Sequence, residues 1–139
     1  MPEVVRFGVS LEKTLLDRFD ALIRERGYTN RSEALRDLTR QDLVRLAWEK
    51  GQEVAGAIIL NYDHHQRDML AKITDIQHDH QDIIISTQHI HLDHHTCLEI
   101  VAVRGRAEAV ECLAHALRSV KGVKHGTLSM SGTGREMVG

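Results

Sequence analysis

The chain has 139 residues, of which 42% are hydrophobic, and a formal net charge of −2 at neutral pH. This length suits one ordinary domain or two small ones, and the apolar content excludes wholesale disorder. The near-neutral charge argues against a protein that coats nucleic acid by bulk charge, and no apolar run is long enough to span a membrane. All ten histidines lie in residues 64–125, so we expect the two parts of the chain to do different work.

The first predicted element is a strand at residues 5–11, where apolar residues alternate with Arg6, Gly8 and Ser10. A lone strand leaves both of its backbone edges unpaired, so we expect two copies to pair as an antiparallel ribbon. A two-stranded ribbon fits the major groove of DNA and would present Arg6 and Ser10 to the bases. Gly8 has no side chain with which to read a base.

Two helices are predicted next. Ser10 is the predicted cap of the first, and Gly27 suits its C-terminal end. Asn30 and Glu33 have the spacing of a capping box at the start of the second helix, which we expect to end near Gly51.

The remainder of the chain has the pattern of a small α/β domain. After a hinge-like stretch at residues 51–56, the predicted strands are 57–62, 83–92, 97–104 and 124–129, and the predicted helices are 65–78 and 107–120. Their order, βαββαβ, is the ferredoxin-like arrangement. The predicted fold class is therefore α+β, with one domain at residues 1–51 and a second at residues 52–139.

The chemistry of the second domain centres on His89, His91 and Cys97. The two histidines are two residues apart in a predicted strand, so both face the same side of the sheet. Cys97 opens the returning strand of the hairpin, where a facing residue is within about 5.5 Å. Imidazole and thiolate donors select a divalent transition metal over Mg²⁺ or Ca²⁺, which prefer oxygen.

A fourth ligand is expected from the histidines that surround this hairpin. The candidates are His78 and His80 at the end of the preceding helix. Further alternatives, placed in polar loops, are His64, His65, His94 and His95. Donor chemistry alone favours zinc, which mixed His/Cys sites often bind, and the spacing leaves cobalt and copper open.

The segment VRFGVSLEKTLLDRFDALIRERGYTNRSEALRDLTR, residues 5–40, resembles the ribbon-helix-helix family. The part GYTNRSEALRD is its most specific motif. The resemblance implies a dimer whose paired strands read DNA. It also implies that Asn30, Arg31 and the N-terminus of the second helix hold a DNA phosphate, which suits the positive end of a helix dipole.

Nearly the whole chain is similar to the NikR family of nickel-responsive regulators, through the motifs QHDHQD, TQHIHLDHHTCLEI and KGVKHGTL. The resemblance implies a C-terminal ACT-like domain and Ni²⁺ as the metal, with His89, His91 and Cys97 as ligands. It implies His78 of a neighbouring subunit as the fourth ligand, in a homotetramer built as a dimer of dimers. Square-planar coordination by nitrogen and sulfur suits Ni(II).

The same resemblance implies a second cation site and one more DNA contact. Glu33 and Asp37 would help to hold K⁺ or a divalent ion between the domains; their alternative role is local pairing with Arg36 and Arg40. Arg67 would touch a DNA phosphate from the metal-binding domain.

The predicted function is a nickel-responsive transcriptional repressor that binds double-stranded operator DNA and is not an enzyme. We expect it in the cytoplasm, because the N-terminus lacks a secretion-signal pattern and the chain has only two cysteines. One alternative is a zinc metalloenzyme with Glu99 as its base. Others are a metal-storage or delivery protein whose N-terminal arm only dimerises, and an antitoxin whose C-terminal half binds a protein.

Overall fold

The computed structural model describes residues 3–135, so the outermost parts of the two predicted domains, residues 1–2 and 136–139, lie outside it. The helices are α1 (Lys13–Glu25), α2 (Arg31–Glu49), α3 (Arg67–Asp79) and α4 (Ala107–Arg118). The strands are β1 (Glu53–Asp63), β2 (Ile84–His91), β3 (Thr96–Arg106) and β4 (Val123–Ser131). Within the described range, no helix combines the length and the apolar character needed to cross a membrane.

The ends of the first two helices follow the predicted signals, with one exception. Asn30 caps α2, because its side chain accepts a hydrogen bond of 2.8 Å from the backbone N–H of Glu33. Gly27 ends α1 in the left-handed region, at φ +82°, which a glycine adopts without strain. The predicted cap at Ser10 is wrong: Glu12 occupies the N-cap position of α1 without a side-chain cap hydrogen bond, and Ser10 lies two residues before it.

The predicted strand at residues 5–11 pairs with no other described segment of this chain. Val5, Phe7 and Val9 leave 73%, 77% and 60% of their surfaces exposed. A strand needs a neighbour for its backbone groups, and the single chain supplies none, so the expected strand does not form within one copy. An uncovered apolar row of this kind marks a surface that another molecule covers.

The sequence predicts a hinge at residues 51–56, but the structure has most of this stretch in a strand. β1 begins at Glu53, four residues earlier than expected, and Gly56 lies inside its ladders, opposite Val103 and Met130. A Cβ at Gly56 would lie 2.6 Å from the carbonyl oxygen of Ser129. The glycine is therefore required by close packing.

The four strands form one antiparallel sheet in the order β2-β3-β1-β4. This order and the sequence β1-α3-β2-β3-α4-β4 confirm the predicted ferredoxin-like arrangement and the α+β class. Alternate residues of β1 and β3 are buried together with residues of α3 and α4. Among the most deeply buried side chains of this core are Ile58, Leu60, Tyr62, Val101, Val103, Leu113 and Leu117.

The C-terminal end of α2 belongs to the same core. Ala47 and Trp48 are 3% and 5% exposed, and both pack in the cluster under the sheet. The indole Nε1–H of Trp48 donates a 2.7 Å hydrogen bond to the carbonyl oxygen of Ser131, in β4. This contact connects the N-terminal helices to the sheet.

Candidate metal centre

Three of the four predicted ligands lie on the β2-β3 hairpin. His91 is the register partner of Cys97, and His89 is the partner of Glu99. On its other side, Cys97 pairs with Tyr62 of β1. Cys97 is 2% exposed, whereas the side chain of His89 is 57% exposed. The hairpin therefore places a buried thiol next to a strand that carries two accessible imidazoles.

The single chain does not gather these donors into a compact group. Within residues 3–135, the group of three possible ligand atoms that all lie within 4.8 Å of one another is Asp63, His65 and His95. His78 is exposed in the last turn of α3, where its Nδ1 is 3.3 Å from the amide nitrogen of Gln81.

His80, the other candidate for the fourth ligand, is turned toward its own helix. Its Nδ1 lies 2.8 Å from the carbonyl oxygen of Ile76, an arrangement in which the ring nitrogen donates. The neighbouring histidine, His78, has no such backbone contact in the described chain and presents its ring to solvent.

A buried carboxylate, that of Glu99 in β3, contacts residues next to the predicted ligands. Glu99 is 1% exposed and accepts hydrogen bonds from the hydroxyl of Tyr62 and from the amide nitrogen of Gln77. Its Oε1 also lies 2.8 Å from Nε2 of His89. These two hydrogen bonds and the close imidazole nitrogen compensate for burial of the charge, which would be costly if it were unpaired.

This carboxylate orders the groups around it. When Nε2 of His89 donates to Glu99, its Nδ1 is left with a free electron pair that can bind a metal. Burial and, second, the hydrogen bond to Glu99 raise the pKa of Tyr62, so its hydroxyl stays protonated as a donor. Because Gln77 directly precedes His78, the same carboxylate connects the two predicted ligand-bearing elements.

His64 is a second neighbour of the predicted ligands. Its ring stacks on that of His91, with centroids 4.8 Å apart and planes inclined by 11°. The Nδ1 atom of His64 is buried and accepts or donates no hydrogen bond in the described structure. Desolvation of the ring, then the nearby His65 and His91, lower the pKa of His64 and favour its neutral form.

The residues fit a borderline divalent transition metal. The donors are imidazole nitrogens and one thiol, with carboxylates only in supporting positions, which disfavours Mg²⁺ and Ca²⁺. Cys97 and His91 are register partners, and Oε1 of Glu99 lies 2.8 Å from Nε2 of His89. Nδ1 of His64 is buried and has no hydrogen-bond partner in the described structure, so this nitrogen is free to bind a ligand from outside the chain.

The predicted DNA contacts fall in two places on the N-terminal segment. Arg6 and Ser10 are exposed in residues 3–12, the segment without a partner strand. At the start of α2, Oδ1 of Asn30 is used by the helix cap. The guanidinium of Arg31 binds both oxygens of Asp20, at 2.9 and 2.8 Å, and this hydrogen bonding lowers the pKa of Asp20.

Arg67, the predicted DNA contact of the metal-binding part, begins α3 and is exposed. In the part of the chain that the structure covers, its guanidinium forms no ion pair.

Glu33 and Asp37 do not pair with Arg36 or Arg40 in the described chain, so the local-pairing alternative is wrong. Glu33 accepts a 2.7 Å hydrogen bond from the hydroxyl of Thr29. Asp37 accepts through Oδ2 from Tyr28 and from Gln41; the latter bond is 3.1 Å long. Both carboxylates face the α1-α2 turn and their own helix instead of the arginines.

Several residues of this region were missed or read differently from the sequence. Tyr62 and Gln77 gave no signal, because their role depends on contacts with Glu99 across 37 and 22 residues. For Glu99, the sequence indicates a catalytic base in the zinc-metalloenzyme alternative, whereas the structure places it in a buried hydrogen-bond network. The tripeptide Asp-His-His occurs at residues 63–65 and again at 93–95. The repeat is visible in the sequence, but only the fold shows that the two copies are neighbours.

Comparisons with known proteins agree with this architecture. Residues 55–131 match the family model described as the NikR C terminal nickel binding domain, and residues 5–46 match that of the ribbon-helix-helix proteins of the copG family. The N-terminal segment therefore has the ribbon-helix-helix architecture. The sheet also resembles an uncharacterized protein of Thermotoga maritima, with a TM-score of 0.51 at 7% identity, over 57% of this chain and 98% of that one. That likeness concerns the fold alone.

Curated relatives match over almost the full length of the chain. A protein of Syntrophus aciditrophicus is 62% identical over 97% of this chain and 98% of its own, and one of Chlorobium limicola is 58% identical over 96% and 100%. Both are named "Putative nickel-responsive regulator". The chain belongs to the NikR family of nickel-responsive regulators, which is a family of regulators and not of enzymes.

Proposed function

We propose that the chain is a transcriptional repressor that binds double-stranded operator DNA when Ni²⁺ occupies a site of three histidines and one cysteine. His89, His91 and Cys97 of one subunit and His78 of another would hold the ion. The observation that carries the proposal is the register pairing of the buried Cys97 with His91, two residues along β2 from His89, whose Nε2 lies 2.8 Å from Glu99.

Two features support ligands drawn from two chains. The four predicted donors form no compact group in the described single chain, and His78 is exposed. The ligand-bearing strand β2 is an edge strand of the sheet, so a neighbouring chain can approach it. The apolar row of residues 5–11 offers a second, separate contact. Two kinds of contact are what a homotetramer built as a dimer of dimers needs.

The contacts of the chain suggest how the site and the DNA-binding segment are coupled. Glu99 connects His89 to Gln77, the neighbour of His78, so both ligand-bearing elements share one buried carboxylate. Trp48 fixes the end of α2 to the sheet, which transmits the position of the sheet to the helices. Bound nickel would supply bonds between subunits. Those bonds would restrict how two ribbons are presented to DNA, and couplings of this kind are typically worth about 1–3 kcal/mol.

The proposal assigns residues 1–51 to a DNA-binding domain and residues 52–139 to a domain for metal binding and tetramer formation. Arg6 and Ser10 would read base edges. Three other residues, Asn30, Arg31 and Arg67, would contact phosphates. Operator binding places this activity in the cytoplasm.

A second cation, K⁺ or a divalent ion, would be held with the help of Glu33 and Asp37, one helical turn apart on α2. Thr29 and Tyr28 fix one oxygen of each carboxylate. In the described structure the other oxygen, Oε1 of Glu33 and Oδ1 of Asp37, accepts no hydrogen bond and can bind a cation.

The experiment is a Ni(II) titration of the full chain, read by the thiolate-to-nickel absorption band and by binding to DNA selected with the nickel-loaded protein. Cys97→Ala should lose the band, tight nickel binding and nickel-dependent DNA binding. The matched control is Cys112→Ala, because Cys112 is the other cysteine and is exposed on α4. Retention of the band by Cys97→Ala would refute the site. Nickel binding without DNA binding by the unmodified chain would instead indicate storage or delivery.

A further inference from the structure

We propose that Asp63, His65 and His95 form a second divalent-metal site, separate from the site of Cys97. One possible ligand atom from each of the three lies within 4.8 Å of the other two. The rings of His65 and His95 are 5.5 Å apart between centroids, and Nδ1 of His65 is 3.0 Å from Oδ1 of Asp63. No residue of the predicted nickel site takes part.

The fold brings together two copies of the same tripeptide. The first Asp-His-His, at residues 63–65, begins at the last residue of β1, and the second lies in the β2-β3 loop at residues 93–95. The two copies become neighbours because Asp63 is the register partner of Thr96, the residue after the second copy. Residues 30 positions apart in the chain thus meet at one end of the sheet.

Both copies share one local contact, a hydrogen bond from the backbone N–H of the second histidine to the aspartate, which restrains the backbone of the proposed ligands. Oδ1 of Asp63 accepts a 2.9 Å hydrogen bond from the N–H of His65. In the second copy, Oδ1 of Asp93 accepts from the N–H groups of His95 and Thr96, at 2.8 and 2.7 Å. Little ordering of the chain is then needed when a metal binds.

The donor chemistry defines the class of ion. Two imidazoles and one carboxylate suit zinc, nickel or cobalt, whereas Ca²⁺ and Mg²⁺ require more oxygen ligands. Three protein ligands leave a coordination position for water. His65 and His95 are exposed and Asp63 is half-buried, so the ion would exchange readily and bind more weakly than at a buried four-ligand site.

The site is independent of Cys97 in chemistry but adjacent in space. Cys97 follows His95 by two residues, and the ring of His64 contacts both His65, at 4.2 Å between centroids, and His91, at 4.8 Å. An ion at the proposed site therefore lies beside the predicted nickel site without sharing its thiolate, and its spectrum should lack a sulfur band.

The test is Ni(II) binding to the untagged full chain by equilibrium dialysis, in the Cys97→Ala background. This background should retain one weaker ion per chain. Adding His65→Ala and His95→Ala should weaken that binding by more than about tenfold, because loss of a ligand costs more than loss of its supporting partner. Adding His94→Ala instead, at the exposed histidine between Asp93 and His95, should leave that binding unchanged.

Equal binding with and without His65 and His95, or an equal loss on removing His94, would overturn the second site. The wild-type chain provides the same comparison should the Cys97 variant fold poorly, because His65→Ala with His95→Ala should then reduce two bound ions to one. The nickel-sensor proposal is tested separately by the thiolate-to-nickel absorption band, which should be present in the wild type and absent in Cys97→Ala. Far-UV circular dichroism of each variant verifies its fold.

Discussion

Oε1 of Glu99 lies 2.8 Å from Nε2 of His89, across the antiparallel pair β3-β2. The same carboxylate accepts from Tyr62 and Gln77, so four elements of the C-terminal fold converge on one buried charge. A hydrogen bond donated by Nε2 of His89 to this carboxylate would set the tautomer and ring orientation of the ligand before the ion arrives.

The charge of Glu99 is therefore expected to matter for nickel binding. Glu99→Gln keeps the size of the side chain but turns one acceptor oxygen into a donor, so one of its three partners is left facing another donor. We expect a loss of about 1–3 kcal/mol in the free energy of unfolding and a weakening of nickel binding by about 10–100-fold. Urea unfolding of the metal-free chain and competition with a chelator measure the two effects.

The matched control is Glu108→Gln, because Glu108 is an exposed glutamate whose nearest cation, Arg106, is 3.8 Å away. It should change neither quantity. Reduced stability of Glu99→Gln with unaltered nickel affinity would show that the carboxylate supports the core alone.

Arg6 is expected to read bases. Arg6→Ala should reduce the preference for operator over random DNA by about 1–3 kcal/mol, since that is what one specific base contact contributes. Its nickel affinity should be unchanged, because in the described structure the exposed residues 3–12 share no hydrogen bond or ion pair with the metal centre. Binding curves on both DNAs, with Arg118→Ala as an exposed-arginine control, test this. An equal loss on both DNAs would mean that Arg6 contacts phosphate.

Asp20 is expected to restrain Arg31. The pKa of Asp20 is lowered by the hydrogen bond from Arg31, so the pair is intact above the ordinary aspartate pKa and is lost as the pH falls through the lowered value. At neutral pH, Asp20→Asn frees the guanidinium and removes a negative charge near the proposed phosphate site. Affinity for all DNA sequences should rise by up to about fivefold, with a steeper salt dependence.

Asp42→Asn is the comparison for this variant, because Asp42 pairs with Arg45 farther along α2 and likewise has its pKa lowered by that partner. An equal gain in both variants would show that only net charge matters and that Arg31 has no special position.

Trp48 is expected to hold α2 on the sheet. Trp48→Phe loses the hydrogen bond to Ser131 and should reduce the free energy of unfolding by about 1 kcal/mol. Trp48→Ala also leaves a cavity in the core and should cost about 3–5 kcal/mol. Thermal unfolding followed by circular dichroism separates the two values. Similar losses for both variants would show that the indole ring packs less closely than its 5% exposure implies.

The elements of the sheet and its helices could be predicted because their signals are local. The capping pair Asn30 and Glu33 and the alternation of buried residues in β1 and β3 follow directly from spacing. Gly56 was misread as part of a hinge, since only the nearby Ser129 carbonyl explains the missing side chain. The strand at residues 5–11 cannot be paired by one chain, so its structure depends on an association that a single copy does not contain.

The candidate site was predictable only in part, because some of its contacts are local in sequence and others join distant elements. The facing of His91 and Cys97 follows from a short hairpin and is present in the structure. The contacts of Glu99 with Tyr62 and Gln77 depend on how β1 and α3 pack, which sequence spacing does not encode. Participation of His78 from a second chain stays a prediction.

The most direct test of the account compares operator binding by the metal-free and the nickel-loaded full chain at one salt concentration. Operator DNA is first selected from random sequences with the loaded protein, and the dissociation constant is then measured with and without Ni(II). The account predicts binding at least about fivefold tighter with nickel, the lower end of typical allosteric coupling. Equal dissociation constants for the two forms would contradict it.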